Sequence, residues 1–117
     1  PSSAASDVYK RQVVYICSPY AGDVEQNTAA AQKYCRFAVD KGTVPLAVHL
    51  LFPQFMSEET ERKLALHMGK IMLTRCKELW CFGGRISDGM KGEIEAASRR
   101  GMPVRYFTED LEEKSNA

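Results

Sequence analysis

Val13-Val14-Tyr15-Ile16-Cys17 is an almost wholly apolar run rich in β-branched residues, and Ser18-Pro19-Tyr20-Ala21-Gly22 breaks it at once. Such a run suits a strand buried on both faces. Asp23 can cap a helix starting near Val24, in which Ala30, Tyr34, Phe37 and Ala38 recur at spacings of three and four on one face. Gly42 ends that helix, because glycine takes a left-handed cap without steric penalty. A buried strand, a loop and an amphipathic helix in that order open a βα unit.

The unit repeats along the chain. Thr43 to Val48 reads as a second strand despite Pro45, with His49-Leu50-Leu51-Phe52-Pro53 as the following loop. Ser57, with Glu59 and Thr60 close behind, has the look of a capping box and opens a helix with Leu64, Met68, Ile71 and Met72 on one stripe, ending near Arg75. Glu78-Leu79-Trp80-Cys81-Phe82 is a third strand, with Trp80 and Phe82 as sheet core, and Gly83 to Gly89 a turn-rich loop. Met90 to Arg100 forms a helix with Met90, Ile94 and Ala97 inward, Gly101 stops it, and Pro103 to Phe107 forms a fourth strand. This alternation implies right-handed crossovers and an α/β fold: three layers, flavodoxin-like or Rossmann-like, around a mostly parallel sheet of four to five strands.

Three segments follow: residues 1–12, Ser/Ala-rich and then polar, as a non-native or disordered leader; 13–107 as the domain; and 108–117 as an acidic tail that frays. A chain of 117 residues with 44% hydrophobic and 26% charged residues allows one soluble domain. Sixteen Lys and Arg against fifteen Asp and Glu generate no field that would hold polymeric nucleic acid or an anionic membrane. No apolar run approaches the roughly twenty residues of a membrane span. Cys17, Cys35, Cys76 and Cys81 lie too far apart for a zinc ribbon, so no metal is expected. They read as small buried hydrophobes whose reduced thiols fit a cytoplasmic protein.

Ligands of such sheets bind beyond the carboxyl ends of the strands, where loops meet helix N-termini. In the third loop, Gly83, Gly84 and Gly89 let backbone approach a ligand, and Arg85 suits a phosphate. The helix start attracts anions and would hold Glu93, placed with Lys91 and Gly92 in its first turn, ionised as a nucleophile or stabiliser of a cationic centre. The plainer reading has Ser87 or Asp88 capping the helix and Glu93 complementing its dipole. In the first loop, Tyr20 can stack on a base and Ser18 reach a sugar or phosphate oxygen, with Pro19 and Gly22 shaping the turn. A turn with a Tyr lid over the core is the alternative. His49, at a strand end, either acts as an acid or orients a ligand, or is a packed histidine.

The run Val14 to Tyr20, His49, and Ser87-Asp88-Gly89-Met90-Lys91-Gly92-Glu93-Ile94-Glu95-Ala96-Ala97 together resemble the nucleoside 2-deoxyribosyltransferase-like superfamily. Within it they are most similar to a branch found in bacteria and their phages, DUF4406 and DUF7768. The resemblance spans about Val13 to Phe107. It implies a flavodoxin-like sheet, action on nucleosides or nucleoside 5′-monophosphates, no cofactor, and a homodimer or higher homo-oligomer.

By that likeness Glu93, four residues after Gly89, is the catalytic glutamate. Ser87 lies by the phosphate, and Tyr15, Ser18 and Gly22 line the sugar and base pocket. The implied activity is N-glycosidase or deoxyribosyltransferase chemistry, with Tyr20 or His49 positioning the substrate. The similar enzymes carry an Asp early in the helix before the third strand, where this chain has His67-Met68-Gly69-Lys70, and another just before that strand, where it has Lys77. Proton transfer then falls to His49, Asp88 or the substrate. The alternative is a non-catalytic module that senses or sequesters a nucleotide-derived ligand, and a structural role is third. Apolar residues beyond one core stripe, around Met56, Leu66 and Leu73, hint at self-association.

Overall fold

The first strand, β1 (Val13–Cys17), lies inside the sheet with a strand on each side, as its two apolar faces require. Its residues alternate: Val14 and Ile16 enter one core cluster, Tyr15 and Cys17 the other. The structure, a computed structural model, describes residues 9–115. Of the expected leader, residues 1–8 lie outside the described residues, whereas the Gln12 carbonyl already accepts the Val44 N–H at 2.9 Å.

The other elements are α1 (Val24–Asp40), β2 (Val44–Leu46), the short α2 (Val48–Leu51) with a 3-10 turn at Phe52–Gln54, α3 (Glu58–Leu73), β3 (Glu78–Phe82), α4 (Asp88–Arg99), β4 (Val104–Phe107) and β5 (Glu113–Lys114). The sheet order is β2-β1-β3-β4-β5, parallel except for the β4–β5 pair. In the register Tyr15 lies opposite Leu46 and Leu79, and Cys17 opposite Cys81. The expected three-layer α/β arrangement is present, with five strands. α1 covers the face of Val14, Ile16, Trp80 and Phe82, where Tyr34 stacks on Phe82 at 4.4 Å. α3 and α4 cover the opposite face through Met72, Leu73, Met90, Ile94 and Ala97.

Four expectations need correction. The second strand is shorter than Thr43 to Val48: Pro45 has no N–H to donate, and the chain bends after three residues at the sheet edge. The segment 49–53, expected as a loop, forms α2 and the 3-10 turn.

Of the stripe expected on α3, Met68 and Met72 face the core and Leu64 and Ile71 do not. Leu64 and Ile71 are 50% and 49% exposed, and the inward face is Ala65, Met68, Gly69, Met72 and Leu73. Leu73 is therefore core and contributes nothing to a surplus apolar surface, while Leu66 faces outward.

From Thr108 to Lys114 the tail is held rather than frayed, and residues 116–117 lie outside the described residues. Thr108 Oγ1 accepts the Asp110 and Glu112 N–H groups, Leu111 turns the chain at φ 70°, and β5 returns along β4. Arg105 then donates to both carboxylate oxygens of Glu113, at 2.8 and 2.7 Å.

Candidate functional site

The connections leaving β1 and β3 run to opposite sides, β1 towards β2 and β3 towards β4, so a crevice opens between their carboxyl ends. A cavity of about 310 Å³ occupies it. Each of the three loops singled out in the sequence reaches its wall. The first contributes Ser18, Pro19 and Tyr20, the second His49, and the third Arg85, Ser87, Asp88 and Gly89, with Glu93 from α4. Phe52, from the second loop, and Met56 supply apolar wall, and the base of α3 adds Ser57, Glu58 and Arg62, a side the sequence reading left out.

Three expected positions lie outside that wall. Gly22 and Gly83 take left-handed φ values of +100° and +98° that shape their turns, which accounts for glycine there without a ligand. Tyr15, expected to line the sugar and base pocket, is 0% exposed and stands behind the wall because strand alternation turns it towards α3.

There the Tyr15 hydroxyl donates to Glu93 Oε2. Cys17, two residues on and on the same strand face, presents its thiol to Glu93 Oε1 at 3.4 Å. Neither contact was read from the sequence. The only signal was the period of two, which places residues 15 and 17 side by side.

Ser87 is the N-cap of α4, and its Oγ accepts the Met90 N–H at 3.3 Å. Glu93 is then the sixth residue of the helix, in its second turn, so the expectation of a first-turn carboxylate held ionised by the helix end is corrected. Burial dominates instead and pushes the Glu93 carboxyl above the usual carboxylate range. The hydrogen bonds from Tyr15 and Cys17, and then the Lys70 ammonium, act against it.

The donors are firmly protonated. Burial, followed by the neighbouring Glu93 charge, raises the Tyr15 phenol, and the Cys81 sulfur, burial and Glu93 together raise the Cys17 thiol. Gly69, in the middle of α3, lets this helix approach. A Cβ there would stand 3.3 Å from the Tyr15 hydroxyl and 3.5 Å from Val48 Cγ2.

Across the cavity wall, Ser18 Oγ and His49 Nε2 are 2.8 Å apart. Burial lowers the His49 pKa to about 4, so the ring is neutral at neutral pH and offers a hydrogen-bond donor or acceptor rather than a proton. The same desolvation disfavours an acid role for His49 at neutral pH. The site thus combines one buried carboxylate held from behind, a neutral Ser-His pair, an apolar wall and an arginine at the rim.

Among the described residues, no group of three His, Cys, Asp or Glu is placed to hold a metal, no helix is long and apolar enough to cross a membrane, and no buried side-chain polar atom lacks a partner. All four cysteines are free thiols, with Cys35 half-buried and the others buried.

Comparison with known proteins agrees with this architecture. A 2-desoxiribosyltransferase from Leishmania mexicana superposes with a TM-score of 0.64 at 16% identity, over 83% of this chain and 64% of that one. The chain thus spans under two thirds of that protein's length. A 2-deoxyribosyltransferase from the psychrotolerant bacterium Bacillus psychrosaccharolyticus superposes with a TM-score of 0.59 at 21% identity, over 89% of this chain and 77% of that one. At these identities the likeness is one of fold. No curated protein matches the sequence. The family model described as "Domain of unknown function (DUF7768)" matches residues 12–107, from the start of β1 to the end of β4 with every helix between. The chain belongs to the DUF7768 family, and its fold is the one seen in the 2-deoxyribosyltransferases.

Proposed function

We propose that the protein breaks the N-glycosidic bond of a nucleoside or nucleoside 5′-monophosphate, with Glu93 as nucleophile. One observation carries this reading: Glu93, in the cavity wall, is held by hydrogen bonds from Tyr15 and Cys17, neither of which lines the cavity. A carboxylate so held can stabilise an oxocarbenium-like centre and then attack the anomeric carbon. The glycosyl–nitrogen bond breaks, its electron pair leaves with the base, and a glycosyl–Glu93 ester forms. Water completes a hydrolysis, and a second base completes a transfer.

The remaining wall fits the other parts of such a substrate. Phe52 and Met56 offer apolar surface to a base, with Tyr20 beside it, and the Ser18–His49 pair can receive a hydroxyl or ring nitrogen. Arg85 and Ser87, at the α4 end of the cavity, suit a phosphate. With His49 neutral, protonation of the leaving base falls to Asp88 or to the substrate.

Mass-spectrometric detection of free base, released from ribo- and deoxyribonucleosides and their 5′-monophosphates, tests the proposal. Release by the wild-type protein is expected, and its loss in Glu93→Gln with unchanged circular dichroism. Release retained in Glu93→Gln rejects Glu93 as nucleophile. The second reading, a binding module for a nucleotide-derived ligand, draws on the bare Gly69 where similar enzymes place an acid. Thermal stabilisation by a panel member without base release would select it.

A further inference from the structure

The buried thiol of Cys17 has no task in a strand that needs only a small apolar side chain at that point. It is 0% exposed, in the face shared with Tyr15, and across the register from Cys81. Its sulfur approaches Glu93 Oε1 to 3.4 Å, closer than the Met90 carbonyl at 3.9 Å, and the Cys81 sulfur is a third neighbour. We propose that Cys17 is a positioning residue for Glu93, its thiol holding one carboxylate oxygen while the Tyr15 hydroxyl holds the other.

The need for two holders follows from the side chain. The terminal torsion of a glutamate is broad and roughly two-fold, so one donor leaves the carboxylate plane free to swing. Donors at positions i and i+2 of one strand lie on the same face, rigidly spaced by the backbone, and two such bonds fix the plane. A thiol is a weak donor. It therefore orients the oxygen while withdrawing little of the electron density that an attack on carbon requires. The inference rests on Glu93 being the working carboxylate, as in the proposed reaction.

The charged and titratable groups facing Glu93 are Tyr15 and Cys17 from β1, Cys81 from β3 and Lys70 from α3. Removing Cys17 leaves the other three in place. The surviving donor then carries the buried charge alone, and Glu93 takes up a proton at higher pH.

Thermal unfolding of the wild-type protein, Cys17→Ala and Cys17→Ser, each with and without Glu93→Gln, tests this from about pH 4 to about pH 9, a range bracketing carboxylates raised by burial. Subtracting each pair isolates the Glu93 titration and cancels that of His49. In Cys17→Ala the Glu93 step is expected to move up by about half a pH unit, or about three-fold in the protonation constant, the scale of one weak hydrogen bond. Cys17→Ser, which keeps a donor, is expected to restore it. A step unmoved in Cys17→Ala, or moved equally in Cys17→Ser, overturns the proposal. Base release should show its low-pH limb moving with the step. A shifted step in a protein that releases no base upholds the carboxylate clamp and rejects the glycosidic reaction, so the two failures are distinguishable.

Discussion

Tyr15→Phe is the sharpest probe of the buried carboxylate. The hydroxyl it removes donates to Glu93 Oε2 from a side chain with no solvent exposure, so water cannot take its place without entering the core. Because burial raises the folded-state pKa of Glu93, this group's contribution to stability is full below the ordinary carboxylate range and is lost as pH rises through the folded value. Tyr15 limits that loss by stabilising the ionised form. Without the hydroxyl, the folded-state pKa rises further and the alkaline loss grows.

A hydrogen bond to a charged group contributes about 1.5–3 kcal/mol and one between neutral groups about 0.5–1.5 kcal/mol. The variant should therefore be less stable than wild type at every pH, by roughly 1–2 kcal/mol more where Glu93 is ionised than where it is protonated. At about 4 °C per kcal/mol for a domain of this size, the Tm deficit should widen by roughly 4–8 °C between acid and mildly alkaline buffer. Differential scanning calorimetry at both ends of the range measures it. A deficit that stays constant with pH would show that the hydroxyl serves packing alone and that Glu93 is not its charged partner.

His49 gives a prediction of opposite sign. Its pKa falls from 6.5 to about 4 on folding, so stability is full above 6.5 and is lost as pH drops towards 4, by up to about 3 kcal/mol. His49→Gln should flatten the Tm–pH curve in that window, and an unchanged slope would place the acid loss elsewhere. Gly69→Asp should lower both Tm and any base release, because its Cβ alone would meet the Tyr15 hydroxyl at 3.3 Å and overpacking costs about 1–3 kcal/mol. A gain in base release would instead show that the chain merely lacks an acid there.

The βα alternation was legible because it rests on local signals: apolar strand runs, Asp23 and Ser87 as caps, and Gly42 and Gly101 at φ +85° and +71° past the helix ends. The loops at the carboxyl ends of β1 to β3 followed from topology, and the structure brings Ser18, His49, Ser87 and Glu93 from them to one cavity. Met68 and Met72 were read correctly on α3, but Leu64 and Ile71 were not, because the rest of the inward face is built partly from Ala65 and Gly69, whose small side chains carry little hydrophobic signal. β5 was lost because Glu113 and Lys114 form a short polar edge, stabilised by an ion pair with Arg105 that no periodicity announces. The contacts of Tyr15 and Cys17 with Glu93 were missed for a different reason. Strand alternation gives the face a residue points to, but what waits on that face depends on how far α4 has turned by Glu93.

Gly69 shows how the same residue changes meaning between the two levels. In the sequence it marks the place of a missing acid. In the structure it is the reason α3 can lie against the Tyr15 hydroxyl, and the residue after it, Lys70, brings an ammonium over the equally bare Gly92, whose Cβ would stand 3.8 Å from Lys70 Nζ. A second carboxylate in that space would put like charges together in a desolvated pocket, where one of them must stay protonated. The chain instead surrounds one carboxylate with a phenol, a thiol and a cation, each of which favours its ionised form against burial. Under the proposed reaction such a site keeps Glu93 ionised for attack, and a proton for the leaving base has to come from another group, Asp88 or the substrate itself.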